Sequence, residues 1–244
     1  MVRPFIHSER GGDVSCRDAP LQRSPRNACR GGGVEQVVYE EAVRILGAGN
    51  GKKRSAIIMN CNPFTLGHRA VIEEAARNSD EVVIFAVQED RSAIPFSDRF
   101  SLMKQGVADL RNVVVISGGD YIVSNATFPT YFIKGTDELA AQTRLDAMIF
   151  AQRIAPELNI TARYVGEEPN DKTTMAYNMA MSEILPENGI ELHIIPRKEV
   201  TEGEVISASK VRRAVLAGDW DAVAAMVPKS TLVYLQSDKG NEII

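Results

Sequence analysis

From residue 55 onward, short apolar runs alternate with longer stretches whose apolar residues recur at helical spacing. The runs at 55–60, 81–87, 113–117, 160–165 and 190–196 predict strands, and 131–134 predicts a short further one. Helices are predicted over 67–78, from a Ser97 cap to about residue 109, over 136–154 and over 172–185. In the second of these, Phe100, Met103, Val107 and Leu110 share one face. After residue 208 the pattern reads as short helices to about residue 236. Alternating strands and helices imply an α/β fold with a parallel sheet and right-handed crossovers. Ligands of such sheets sit beyond the carboxyl ends of the strands. Residues 60–62, 88–91 and 166–168 all follow strands and are expected to gather there.

The first 54 residues differ from the rest. Residues 1–33 are rich in Arg, Gly and Ser without an apolar period, a composition that predicts disorder. Val34, Val37, Val38, Ala42, Ile45 and Leu46 fall at helical spacing, and 47–54 reads as a linker, so 34–54 is expected to be helix and linker. These 54 residues hold ten basic and six acidic side chains, against a net charge of −4 for all 244 residues. The body at 55–237 is therefore acidic, which argues against a general nucleic-acid binder but permits a local basic pocket. No apolar run approaches the ~20 residues that span a bilayer. No apolar leader is visible. Cys16, Cys29 and Cys61 lack metal-ligand spacing, and a reduced cytoplasmic setting is expected. Residues 238–244 are expected to be a tail.

Two stretches carry candidate chemistry. Residues 57–68 read Ile-Ile-Met-Asn-Cys-Asn-Pro-Phe-Thr-Leu-Gly-His, a strand, a tight turn and a helix start. Unpaired N–H groups and the helix dipole at such a start favour phosphate. Gly67 allows close backbone approach, Thr65 offers a hydroxyl and His68 a ring nitrogen. Asn62 either fixes the turn or contacts phosphate. Residues 206–213 read Ile-Ser-Ala-Ser-Lys-Val-Arg-Arg ahead of a helical pattern. Ser207 or Ser209 suits an N-cap. Lys210, Arg212 and Arg213 are unfavourable beside a positive dipole end unless a polyphosphate balances them.

Together these stretches resemble the paired signatures of the HxGH-type nucleotidyltransferases. Thr65-Leu66-Gly67-His68 stands for the first signature and Ile206-Ser207-Ala208-Ser209-Lys210-Val211-Arg212 for the second. Thr65 replaces a histidine and Ala208 a serine, which leaves one imidazole for the phosphates. Within that superfamily the chain resembles the citrate lyase ligase family. Besides the segment ending at His68, the likeness rests on 119–131, 165–169, 205–210 and 227–231, and it covers roughly 55–237. It implies a Rossmann-like nucleotidyltransferase domain with C-terminal short helices. Members of the resembled family usually carry a preceding acetyltransferase-like domain, for which 54 residues are too few. The expectation is either a short form or a misplaced start of the reading frame.

The resemblance also implies a reaction. Acetate attacks the α-phosphorus of ATP, and acetyl then passes to a thiol on the acyl-carrier subunit of citrate lyase, releasing AMP and pyrophosphate. Mg²⁺ on the phosphates would assist. His68 is assigned to the α-phosphate, and Lys210 and Arg212 to the β- and γ-phosphates. Thr65, Ser207 and Ser209 are positioning donors. Glu167 and Glu168 are candidates for adenine or ribose, against a solvated loop. Residues 118–121 and 124–127 either shape an acetate or thiol pocket or form a structural loop. Arg99 and Lys104 are read as a surface face, Cys61 as no nucleophile, and His193 and Trp220 as structural. Other readings remain: a different adenylyltransferase, an RNA-directed acetate ligase, or a nucleotide-binding protein without turnover. No nucleic-acid or membrane partner is expected.

Overall fold

The structure is a computed structural model, and it describes residues 44, 45, 47, 51–88, 92–119, 122, 136–167, 172–200 and 205–243. The strand expected at 131–134, the disorder expected over 1–33 and most of the helix predicted near residue 40 lie outside these residues. So do Asp120, Tyr121, 124–127 and Glu168.

Five strands form one parallel sheet: β1 (Arg54–Met59), β2 (Glu81–Ala86), β3 (Val113–Ser117), β4 (Ile160–Gly166) and β5 (Glu191–Ile195). Their order is β3-β2-β1-β4-β5. The chain therefore builds outward from β1 in one direction and then returns to the other side of it. The crevice above the carboxyl ends of β1 and β4 is the topological switch point, where α/β sheets of this kind bind ligands. Met59 pairs with Ala86, and Ala56 with Arg163, so β1 is central and hydrogen-bonded on both edges.

Side chains alternate across the sheet, as a period of two requires. Ile57, Ile84, Ala162 and Tyr164 face α1 (Leu66–Asn78) and α2 (Phe96–Gly106). Ala56, Val83 and Phe85 face α3 (Thr136–Ile149) and α4 (Lys172–Glu187), and Ile160 joins them out of step with Ala162 and Tyr164, where the pairing of β1 with β4 shifts register between Arg54 and Ser55. The helix predicted over 136–154 is thus not continuous α. Its end is a π turn, Phe150–Ile154, followed by a short helical turn at Ala155–Glu157.

Four short helices follow: α5 (Ala208–Leu216), α6 (Trp220–Met226), α7 (Lys229–Leu235) and α8 (Asp238–Ile243). Val211, Val223, Met226 and Leu235 enclose a third apolar cluster, with Trp220 packed at its side. Residues 238–243 are therefore a helix, not a tail. Lys239 pairs with Asp98 at 2.6 Å, and Tyr234 donates to the same carboxylate at 3.0 Å, which joins these helices to α2.

Three further expectations change. Arg54 is not linker. It opens β1, is buried, and donates to Glu81 Oε2 at 2.6 Å and to the Leu158 carbonyl at 2.6 Å. Ser97 does not cap α2, because the helix starts one residue earlier with Pro95 as its cap residue. The Pro95 carbonyl takes the first amides, from Asp98 and Arg99 at 3.1 Å each. Arg99 and Lys104 do not share one surface face, since Arg99 is fully buried and only Lys104 lies outside, over the Phe100 ring.

The phosphate-type turn is anchored to this frame by Phe64, which is fully buried against Gly106 of α2. A Cβ on Gly106 would stand 2.3 Å from Phe64 Cε1. Gly106→Ala is expected to lower stability by about 1–3 kcal/mol through overpacking, read as a lower urea midpoint with an unchanged slope.

Candidate functional site

The turn between β1 and α1 is held from below. Asn60, Cys61 and Asn62 follow the strand, Cys61 adopts φ 53°, and the Asn62–Pro63 peptide is cis. The buried Arg99 guanidinium donates to the Asn60 carbonyl at 2.7 Å, the Val87 carbonyl at 3.0 Å and the Ile94 carbonyl at 3.0 Å. One side chain thus ties the ends of β1 and β2 and the approach to α2. Sequence reasoning missed this role. The available signal was a lone Arg set among the apolar positions of a helix.

Asn62 fixes the turn. Its Oδ1 accepts from the Ile94 amide at 3.1 Å. Its carbonyl accepts from Arg212, 150 residues later in the chain. That bond brings the second signature onto the first. Gly67 meets it as well, since a Cβ there would lie 3.5 Å from Ile206 Cγ2, an ordinary contact. The fold itself therefore leaves room for a side chain at Gly67.

Thr65 and His68 form a reciprocal cap. Thr65 Oγ1 accepts from the His68 amide at 3.2 Å, and His68 Nδ1 accepts from the Thr65 amide at 3.0 Å. A ring nitrogen that accepts a backbone N–H carries no proton, so the neutral tautomer with Nε2–H is selected. Burial and the nearby Arg197 charge lower the imidazole to about 4, which agrees with a neutral ring. His68 thus caps its helix through Nδ1, and its proton stands on Nε2. The amides of Leu66 and Gly67 precede the first intrahelical bond, from Arg69 to the Thr65 carbonyl at 3.1 Å.

Ser207 caps α5, accepting from the Lys210 amide at 3.2 Å, and its Oγ lies 3.2 Å from Ser209 Oγ. Lys210 and Arg212 stand in the first turns of that helix, with Arg212 spending one N–H on Asn62. Glu167 follows β4 and is exposed. Its amide donates to Ile195 at 2.8 Å, and its carbonyl accepts from Arg197 Nε at 3.0 Å. Arg197, which follows β5 and acts on His68, was not foreseen. Its place just beyond the last strand was the signal.

Cys61 is buried, and burial pushes its thiol far above the usual range despite the Arg99 charge, so it is no nucleophile at neutral pH. His193 stacks on Tyr164 at 4.4 Å in β5. Among the described residues, no group of three or more His, Cys, Asp or Glu side chains is arranged to hold a metal ion. No described helix is long and apolar enough to cross a membrane.

Comparison with known proteins gives the family. Residues 54–235 match the Citrate lyase ligase C-terminal domain. The chain belongs to this family. Citrate (pro-3S)-lyase ligase of Klebsiella pneumoniae is 42% identical over 190 residues, 76% of this chain and 55% of that protein. The Escherichia coli (strain K12) protein of the same name is 42% identical over 193 residues, 77% of this chain and 54% of its own. The chain spans about half the length of the curated relatives it matches. The crystal structure of Thermotoga maritima TmcAL bound with alpha-thio ATP aligns with a TM-score of 0.51 at 14% identity, covering 78% of this chain and 57% of that one. At that identity the likeness concerns the fold alone. The citrate lyase ligase domain is therefore an enzyme-family domain whose two signatures, far apart in sequence, meet at the Asn62–Arg212 bond.

Two outcomes are expected. Arg99→Met strips donors from the buried Val87 and Ile94 carbonyls and the half-buried Asn60 carbonyl and should cost about 3 kcal/mol in urea denaturation. The lowered His68 value means that the unfolded chain takes up this proton first. The stability that the neutral ring contributes is complete above about pH 6.5 and is lost as pH falls toward 4. His68→Gln should flatten that part of the stability–pH curve relative to the unaltered chain.

Proposed function

We propose that this domain performs the ATP-dependent step of citrate lyase ligase: adenylylation of acetate, followed by transfer of acetyl to the thiol of the acyl-carrier subunit of citrate lyase. Membership of the citrate lyase ligase family, with both signatures joined at the switch point, is the observation that carries this reading. A cytoplasmic setting, where a thiol acceptor stays reduced, suits it.

An acetate oxygen attacks the α-phosphorus, and pyrophosphate leaves with the bonding electron pair. The domain has little covalent chemistry to do. It must hold the triphosphate, align the attack and balance charge that grows on the leaving group. The neutral Nε2–H of His68 donates to an α-phosphate oxygen. The Leu66 and Gly67 amides and the Thr65 hydroxyl belong to the turn before α1, and the Ser207 hydroxyl, at the start of α5, is a further positioning donor. Lys210, Ser209 and the remaining N–H groups of Arg212 address the β- and γ-phosphates. Glu167 stands where β4 opens onto the crevice and takes the nucleoside end. Mg²⁺ would come with ATP, because among the described residues no group of three or more His, Cys, Asp or Glu side chains is arranged to hold a metal ion. It neutralises phosphate charge when bound. In the second step the acceptor thiolate displaces AMP from the acetyl-adenylate carbonyl, forming the thioester.

AMP release from ATP and Mg²⁺, with and without acetate, tests the proposal on the full chain. Acetate-dependent AMP supports it, whereas release that ignores acetate or requires a nucleotide acceptor overturns it. His68→Ala should lower kcat by about 10²–10³-fold with little change in KM. Gly67→Ala should fold as stably as the unaltered chain, because the fold has room for the methyl group. It should nonetheless weaken ATP binding about tenfold by crowding the phosphate. Equal affinity would remove that turn from the binding site.

A further inference from the structure

The face of the sheet that carries α3 and α4 holds a polar cluster that the proposed reaction does not use. Arg163 projects from the middle of β4 and is only 5% exposed. Its guanidinium lies 4.5 Å from the centre of the Phe150 ring. Asp146 of α3 accepts from the Tyr177 hydroxyl of α4 at 2.5 Å through Oδ2. The other carboxylate oxygen, Asp146 Oδ1, and Arg163 Nε are both buried and hydrogen-bond to no other protein atom among the described residues.

Asp146 and Arg163 both line one cavity of about 10 Å³, walled also by Ile58, Ile122, Ala147, Phe150 and Met181. This is close to the room that a single water needs. The π turn Phe150–Ile154 forms part of its wall, with both end residues lining it. A widened turn of this kind makes space that a regular α-helix would close.

The chemistry of the two atoms selects the guest. Arg163 Nε–H requires an acceptor, and Asp146 Oδ1 requires a donor. An anion would satisfy Arg163 but face the Asp146 carboxylate. A cation would satisfy Asp146 but face the guanidinium. A neutral oxygen that accepts one hydrogen bond and donates another satisfies both, and the volume restricts it to water.

We propose that this cavity is a binding site for one ordered water that bridges Arg163 Nε and Asp146 Oδ1. The water completes a chain Tyr177–Asp146–water–Arg163 that links α4, α3 and the central part of the sheet. Its existence is independent of the acetate-activating reaction.

A high-resolution crystal structure of the full chain tests this directly. The expected result is one density peak within hydrogen-bond distance of both Arg163 Nε and Asp146 Oδ1. Asp146→Asn, which keeps an acceptor oxygen there, should retain it. In solution, the Arg163 side-chain N–H should show a cross-peak to water with the NOE sign of a long-lived bound molecule. A dry cavity, a direct Arg163–Asp146 contact, or density for a larger ligand would overturn the proposal, as would the absence of that cross-peak from an assigned Arg163 signal.

Discussion

The buried guanidinium of Arg99 is the interaction on which the site depends. The turn after β1 must leave the sheet, expose backbone N–H groups upward and start a helix within a few residues. Such a turn has carbonyls pointing inward with no strand to pair them. Arg99 supplies donors to Asn60, Val87 and Ile94 from a single planar group. A guanidinium suits this task because its donors lie in a fixed fork and it keeps its charge when desolvated.

The second constraint is the reciprocal cap between Thr65 and His68. It joins folding and chemistry in one ring. The helix start needs an acceptor for the Thr65 amide, and Nδ1 provides it. That bond in turn sets which nitrogen holds the proton. A protonated imidazole would turn an N–H toward the Thr65 N–H, so the cap and the low proton affinity of His68 act together. Thr65 at a position where the superfamily has a histidine is consistent with this division. Its hydroxyl caps the helix by accepting from the His68 amide.

Much of the architecture was legible in the chain. Five apolar runs became the five strands, because a central parallel strand buries both faces and so reads as a continuous apolar segment. The two signatures were legible too, because close backbone approach and helix capping limit which residues can stand there. Errors fell where a residue's partner is remote in sequence. Arg54 read as part of a basic linker because its partners, Glu81 and the Leu158 carbonyl, lie 27 and 104 residues away. Arg99 read as surface for the same reason. Ser97 was a good local cap, yet α2 begins at Phe96, where Phe96 stacks on Phe100 at 5.5 Å and Arg99 must reach Ile94. Residues 238–243 carry little apolar pattern, and Lys239 meets Asp98 only after α2 and α7 have packed.

The sequence by itself determined the alternation of strands and helices, the phosphate-type turn and the family, since these rest on local periodicity and short spaced motifs. Tertiary structure alone decided that Arg212 meets the Asn62 carbonyl, that Arg197 sits near enough to act on His68, and that Arg163 and Asp146 share a cavity. These pairs are separated by between 17 positions, for Arg163 and Asp146, and 150, for Arg212 and Asn62. No local propensity encodes them, because they exist only once the sheet order β3-β2-β1-β4-β5 has brought the strand ends together.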